Sequence, residues 1–128
     1  MDVREAAEQG DASSQFTLGL MYANGEGVSQ NDVEAVAWFR RAAEQGYEVA
    51  QRTCGQMYFQ GRGAPQDDAE AAAWFRKAAE QGDPMSQFNL GVMYDEGRTL
   101  NSSATEGRRT TESVTGRWKR GIDNRWRS

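Results

Sequence analysis

One stretch of this sequence returns at a fixed spacing. Ala37 to Gly46 reads AWFRRAAEQG, and Ala73 to Gly82 reads AWFRKAAEQG. A shortened echo, REAAEQG, occupies Arg4 to Gly10. The copies lie 36 residues apart: Trp38 to Trp74, and Gly10 to Gly46 to Gly82. A period of this length excludes most folds. It implies a row of similar helical or mixed units, each burying its apolar side against the next.

The stretch reads as a helix, termed helix B. In the first full copy Ala35, Trp38, Phe39, Ala42 and Ala43 are apolar; in the second, Ala71, Trp74, Phe75, Ala78 and Ala79 are. That spacing marks one face of a 3.6-residue period. Alanines let a neighbouring helix come close, and the rings fill the space above them. Trp74 is expected to be largely buried between helix A of its own repeat and that of the next. Asn31 and Asp67 each stand three residues before a glutamate, Glu34 and Glu70, a helix-start signal. Gly46 and Gly82 supply the stop.

A second helix, A, precedes each helix B. Its first copy spans Asp11 to Asn24, with Ser14, Leu18, Gly19, Met21 and Tyr22 on one side. Adding 36 gives Ala50, Cys54, Gly55, Met57 and Tyr58, then Ser86, Leu90, Gly91, Met93 and Tyr94. Asp83 followed by Pro84 is a cap residue with proline at the first helical position. A glycine in mid-helix costs about 1 kcal/mol relative to alanine, so close packing of A on B is expected there. Between A and B lie Gly25 and Gly27, then Gly61 and Gly63. They suit a helix cap and turn. A phosphate loop would need a preceding strand and a Lys-Ser/Thr pair, which are missing. Met1 to Gly10 matches the second half of a helix B, so the stub reads either as a polar cap or as the start of a fragment from a longer array.

The combined pattern of Leu-Gly, Met-Tyr, Gly-x-Gly, then Trp-Phe and Ala-Ala-Glu-Gln-Gly resembles the Sel1-like repeat, a relative of the tetratricopeptide repeats. The resemblance covers residues 1–97. It implies an all-α fold: a right-handed superhelical solenoid of antiparallel helix pairs, about two and a half repeats long. It also implies an adaptor or scaffold role in multiprotein assemblies, many of them bacterial. Some cysteine-rich relatives have been linked to β-lactam binding or hydrolysis.

After residue 97 the register is lost. Thr110 stands where Trp74 predicts tryptophan, and Val114 and Thr115 stand where alanines are predicted. Charge changes too: residues 1–97 hold 7 Lys+Arg and 16 Asp+Glu, residues 98–128 hold 8 and 3. Residues 98–128 are therefore read as a divergent basic tail, irregular or marginally helical. Val114, Trp118, Ile122 and Trp126 are spaced as one helical stripe that would dock on the third helix A. Their basic-aromatic interleaving can suit nucleic acid or anionic lipid, but no motif frames it, and neither partner is expected.

Candidate chemistry is sparse. There is no histidine, so the commonest metal ligand and general base is missing, and no metal or cofactor is expected. The single cysteine, Cys54, stands where the other copies have Leu18 and Leu90, the slot of a packing residue. Lys77 and Lys119 have Trp74 and Gly116 three residues before them, so no Ser-x-x-Lys is formed. Asp32, Glu34, Asp68 and Glu70 oppose helix dipoles. No catalytic residue is assigned and no enzyme activity is expected. No signal peptide or membrane-spanning run is visible, so a cytoplasmic location is the default. A monomer, or a piece of a longer array, is expected.

The remaining candidate surface is the side of helix A opposite the core. Two residues on from Ser14, Leu18 and Tyr22 is a turn of about 200°. That stripe holds Phe16, Leu20 and Asn24 in the first copy, Arg52, Gln56 and Gln60 in the second, and Phe88, Val92 and Glu96 in the third. Solenoids of this kind bind ligands on the concave, helix A-lined face. Apolar flanks around an Arg/Gln centre would suit a peptide or protein segment with a polar or acidic middle. The alternative for Phe16 and Phe88 is packing between adjacent A helices.

Overall fold

Every regular element in the computed structural model, which describes residues 2–97, is an α-helix. Residues 98–128, and with them the expected tail stripe, lie outside the described residues. The order is α1 (Val3–Glu8), α2 (Ala12–Asn24), α3 (Asp32–Glu44), α4 (Glu48–Gln60), α5 (Asp68–Glu80) and α6 (Pro84–Asp95). The A helices are α2, α4 and α6; the B helices are α1, α3 and α5. Principal contacts run between consecutive helices, so the helices pack as sequential pairs along a solenoid.

The ends of the helices follow from their sequence. Asn31 and Asp67 accept the Glu34 and Glu70 amides through their side chains. Their own backbone N–H groups donate to the carbonyls of Tyr22, at 2.8 Å, and Tyr58, at 3.0 Å. The A helix therefore supplies the acceptor that a capping-box glutamate would otherwise provide. Asp11 and Asp83 cap the first and third A helices, whereas Tyr47, lacking a short acceptor side chain, makes no side-chain cap bond. Each B helix closes on a left-handed glycine. Tyr47 N–H reaches the Ala42 carbonyl at 3.3 Å and Gly46 N–H the Ala43 carbonyl at 2.9 Å, and the same pair recurs at Asp83 and Gly82.

The core lies between A and B helices. Ala35, Ala42, Ala71 and Ala78 are fully buried, and Phe39 and Phe75 nearly so. A Cβ on Gly19 would stand 2.6 Å from the Phe39 ring, and one on Gly55 2.6 Å from the Phe75 ring. These mid-helix glycines are thus where the phenylalanines seat. Val36 is buried as well, which the periodicity had not placed on the core face. The loop between α4 and α5 explains it: a Cβ on Gly63 would meet the Asp32 carbonyl at 2.1 Å and Val36 at 2.7 Å. Arg62 of that loop bonds Asp32 at 3.0 Å.

Trp74 is buried, 6% exposed. Its equivalent, Trp38, clusters with Leu18 of its own A helix and Ala7 of the preceding B helix. In that copy the indole reaches back along the array, toward the preceding B helix. Phe39 instead meets Phe16 at 5.4 Å, and Phe16 meets Tyr47, at the start of α4, at 5.7 Å. Arg41 and Lys77 stack over the two indoles at 4.5 and 5.2 Å, covering their outer faces.

Candidate interaction cleft

Two side-chain ladders fix one repeat against the next. Gln45, at the end of α3, donates to the Gly10 carbonyl at 2.8 Å and the Gln15 side-chain oxygen at 2.9 Å. Gln15, buried, passes its own amide to the Ala7 carbonyl at 3.0 Å. One period on, Gln81 donates to Gly46 at 3.0 Å and Gln51 at 2.7 Å, and Gln51 donates to Ala43 at 3.2 Å. The second ladder joins each B helix to the following A helix. Arg4 donates to the Tyr22 hydroxyl at 2.6 Å, Arg40 to Tyr58 at 2.7 Å, and Arg76 to Tyr94. Burial raises the Tyr58 phenol above its usual range. Together these bonds hold successive A helices at a set spacing.

Between α4 and α6 that spacing leaves a cleft of about 250 Å³. Gln56, Phe59 and Gln60 line it from α4, Phe75 from α5, and Phe88, Asn89, Val92 and Met93 from α6. Its walls are apolar, with three carboxamides and no charged side chain. The carboxamides of Gln56, Gln60 and Asn89 are not engaged by any other described side chain or backbone group. This sets them apart from the ladder glutamines, whose amides are all committed. Each carboxamide can donate and accept at once, so the cleft can hold an apolar group while matching peptide N–H and C=O groups.

Of the nine residues of the expected stripe, the structure gathers Gln56, Gln60, Phe88 and Val92 into this cleft. The others lie elsewhere. Phe16 is half-buried between Phe39 and Tyr47, the packing alternative. Leu20 is 38% exposed, and Asn24 bonds Glu26 at 3.3 Å. Glu96 is the exposed C-cap of α6. Arg52 bonds the buried Asp83 at 2.8 Å, so the cation of the expected Arg/Gln centre is already answered within the chain. The stripe missed Phe59, Asn89, Met93 and Phe75. Phe59 had a signal: the other copies carry Ala23 and Asp95 at its position. Phe75 and Met93 belonged to the core pattern, yet their edges reach the cleft floor.

Cys54, the sole cysteine, is fully buried in α4, and burial pushes its thiol up to about 12. Asp11 is held below the usual carboxylate range by its hydrogen bonds from Ser14. Among the described residues no group of three or more His, Cys, Asp or Glu side chains is placed to hold a metal ion, and no helix is long and apolar enough to cross a membrane.

Comparison with known proteins adds the family. No curated protein matches the chain. Among solved structures it is similar to a protective antigen of uropathogenic Escherichia coli with an SLR fold, at 37% identity and a TM-score of 0.73, over 88% of this chain and 25% of that one. It is also similar to a Sel1 repeat protein from Oxalobacter formigenes, at 38% identity and a TM-score of 0.75, over 88% of this chain and 47% of that one. The chain thus spans a quarter and about half of the length of these two. Helicobacter pylori cysteine rich protein B shares the fold alone, at 22% identity and a TM-score of 0.66, over 69% of this chain and 66% of that one. The Sel1 repeat model matches residues 12–47, 49–83 and 84–105. With most of its length in three matched repeats, stacked as sequential helix pairs, the chain belongs to the Sel1 repeat family, whose repeats generally mediate protein binding.

Proposed function

We propose that this chain is a non-catalytic interaction module that holds an extended segment of a protein partner on its helix A-lined face. The cleft between α4 and α6 is the centre of that surface. The observation that carries this reading is the set of three uncommitted carboxamides among apolar walls. An extended peptide presents a side chain and backbone amide groups together, and this lining answers both. Because Arg52 is paired with Asp83, the preferred segment has a neutral, apolar centre, not an acidic one. The flanking stripe residues Leu20, Asn24 and Glu96 extend the contact along the array. The non-catalytic part of the reading is supported by the buried, unionised Cys54 and by the use of Asp11, Asp67 and Asp83 as helix caps.

The test is selection of peptides from a random display library against the immobilised full chain. Selected peptides should lose about tenfold or more in affinity on Val92→Arg or Gln56→Arg, the scale of a hot-spot loss above 1.4 kcal/mol. Val33→Arg, an exposed position on α3 outside the cleft, should leave binding unchanged. Binding that survives both cleft substitutions would place the interaction surface elsewhere.

A further inference from the structure

Two successive junctions between A helices differ at one pair of equivalent positions. At the first, Phe16 of α2 meets Tyr47, at the start of α4, at 5.7 Å, and lies against the Phe39 ring at 5.4 Å. One period on, the same three places hold Arg52, Asp83 and Phe75. Arg52 and Asp83 form an ion pair at 2.8 Å. An aromatic pair in one junction is thus an ionic pair in the next, each beside an equivalent phenylalanine. Phe75 lines the cleft between α4 and α6, whereas Arg52, the counterpart of Phe16, does not. We propose that Arg52 and Asp83 are the positioning residues of this cleft: their ion pair draws the side chain at position 52 toward the cap of α6 and keeps the space above Phe75 open to an apolar group of a partner. The inference rests on the cleft being the partner site, and it names the residues that select this junction for that role.

Asp83 holds its partner firmly. It is 3% exposed, and both of its oxygens are used. Oδ1 accepts from Arg52 at 2.8 Å, and Oδ2 accepts from the Ser86 amide at 3.0 Å and the Ser86 hydroxyl at 2.6 Å. A carboxylate buried in this way requires its cation, so Arg52 has little freedom to swing back over Phe75. The same bond ties the start of α6 to α4 one helical turn before Gln56, and so sets how far apart the two walls stand at that end. A phenylalanine at position 52 would have no such pull. Aromatic rings attract one another at the separations seen among Phe16, Phe39 and Tyr47. The ring would settle on Phe75 as Phe16 does on Phe39, and would take the volume that a partner's side chain needs.

Indole, a neutral ring with one N–H donor, is the probe, titrated into the nitrogen-15-labelled full chain and followed by nuclear magnetic resonance. In the parent the side-chain amide signals of Gln56, Gln60 and Asn89 should shift together and saturably. Arg52→Phe with Asp83→Tyr, which copies the first junction, should raise the midpoint concentration by about tenfold or more. Arg52→Phe with Asp83→Asn keeps an acceptor for the Ser86 amide and should do the same, so the test survives if loss of the cap unfolds the first variant. Arg52→Lys keeps a cation for the single contact to Asp83 and should keep the parent's midpoint; a merely stabilising role would instead make the midpoints follow the melting temperatures. A parent-like midpoint in a folded double variant overturns the inference, as does a parent with no saturable shift or an Arg52→Lys chain that excludes indole. If the double variants take up indole like the parent while display-selected peptides still need the cleft, this inference alone fails. If they exclude indole and bind the selected peptides unchanged, the partner reading fails instead.

Discussion

Gly55→Ala opposes two well-defined terms. In an isolated helix the change would stabilise by about 1 kcal/mol. Here the new Cβ would stand 2.6 Å from Cδ1 and Cε1 of Phe75 and 3.0 Å from its Cγ. Carbon atoms rest at about 3.5–4.0 Å, so ring and helix must part by roughly 1 Å. The contact is with the edge of a rigid ring that is itself 2% exposed, not with the end of a flexible side chain. Overpacking of this kind costs about 1–3 kcal/mol. The net expectation is a loss of about 1 kcal/mol, or roughly 4–8 °C in melting temperature for a domain of this size. Thermal and urea melts followed by far-ultraviolet circular dichroism read it directly. Phe75→Leu should relieve the clash, so a double-mutant cycle should show a favourable coupling of about 1 kcal/mol. A rise in melting temperature for Gly55→Ala with no coupling to Phe75→Leu would refute the close seat of this ring on the A helix.

Three further outcomes are expected. Trp74→Ala removes a buried indole and should cost about 3–5 kcal/mol; a melt unchanged from the parent would contradict its burial. Gln51→Leu deletes the bonds to Ala43 and Gln81, a loss of about 1–3 kcal/mol for two hydrogen bonds, and a urea midpoint equal to the parent's would mean the ladder does not couple the repeats. For Cys54 the folded thiol sits at about 12, whereas an unfolded one titrates near 8.5. Its contribution is complete below about pH 8.5 and falls as pH rises toward 12, because only the unfolded chain ionises in that window. The stability difference between parent and Cys54→Ala should therefore shrink across the window, and a constant difference would argue against the burial.

Much of the fold was legible because its information is local. Helix A was expected over Asp11 to Asn24, and α2 runs from Ala12 to Asn24 with Asp11 as its cap. The apolar faces of helices B were right at Trp38, Phe39, Ala42 and their equivalents. What was not legible depends on how one pair sits against the next. Gln45 and Gln81, at the ends of polar helix turns, look solvated in a linear reading. Their partners are 30 and 35 residues away, and only the stacked geometry brings them near. The same holds for Arg52, whose partner Asp83 caps the following A helix. Nor does a 3.6-residue period say whether Trp38 turns back to α1 or forward to α4. For the candidate site, the stripe named four of the eight lining residues; Phe59 differs visibly from its counterparts Ala23 and Asp95, and the other three required knowing where the neighbouring A helix lies.

The three copies within this one chain also separate structure from recognition. Gly19, Gly55 and Gly91 are alike, as are Met21, Met57 and Met93, and Tyr22, Tyr58 and Tyr94. Each tyrosine meets an arginine of the preceding B helix, and Gly19 and Gly55 each seat a phenylalanine of the following one, so the same side chain serves each time. Gln15, Gln51 and Gln87 repeat for the same reason, each amide reaching the carbonyl of a B-helix alanine eight residues earlier. The stripe behaves differently. Phe16, Arg52 and Phe88 differ, as do Leu20, Gln56 and Val92, and Asn24, Gln60 and Glu96. Arg52 shows what variation costs when a position is half-buried: its charge requires Asp83, and the cap of α6 supplies it. Phe16 also answers to the stack, lying between Phe39 and Tyr47, whereas Gln56 and Gln60 carry no such demand. A repeat that must pack on its neighbour has little freedom where it packs, and can vary its chemistry only where it does not. In this chain four such variable positions, Gln56, Gln60, Phe88 and Val92, meet between α4 and α6, in the cleft proposed above to hold a partner segment.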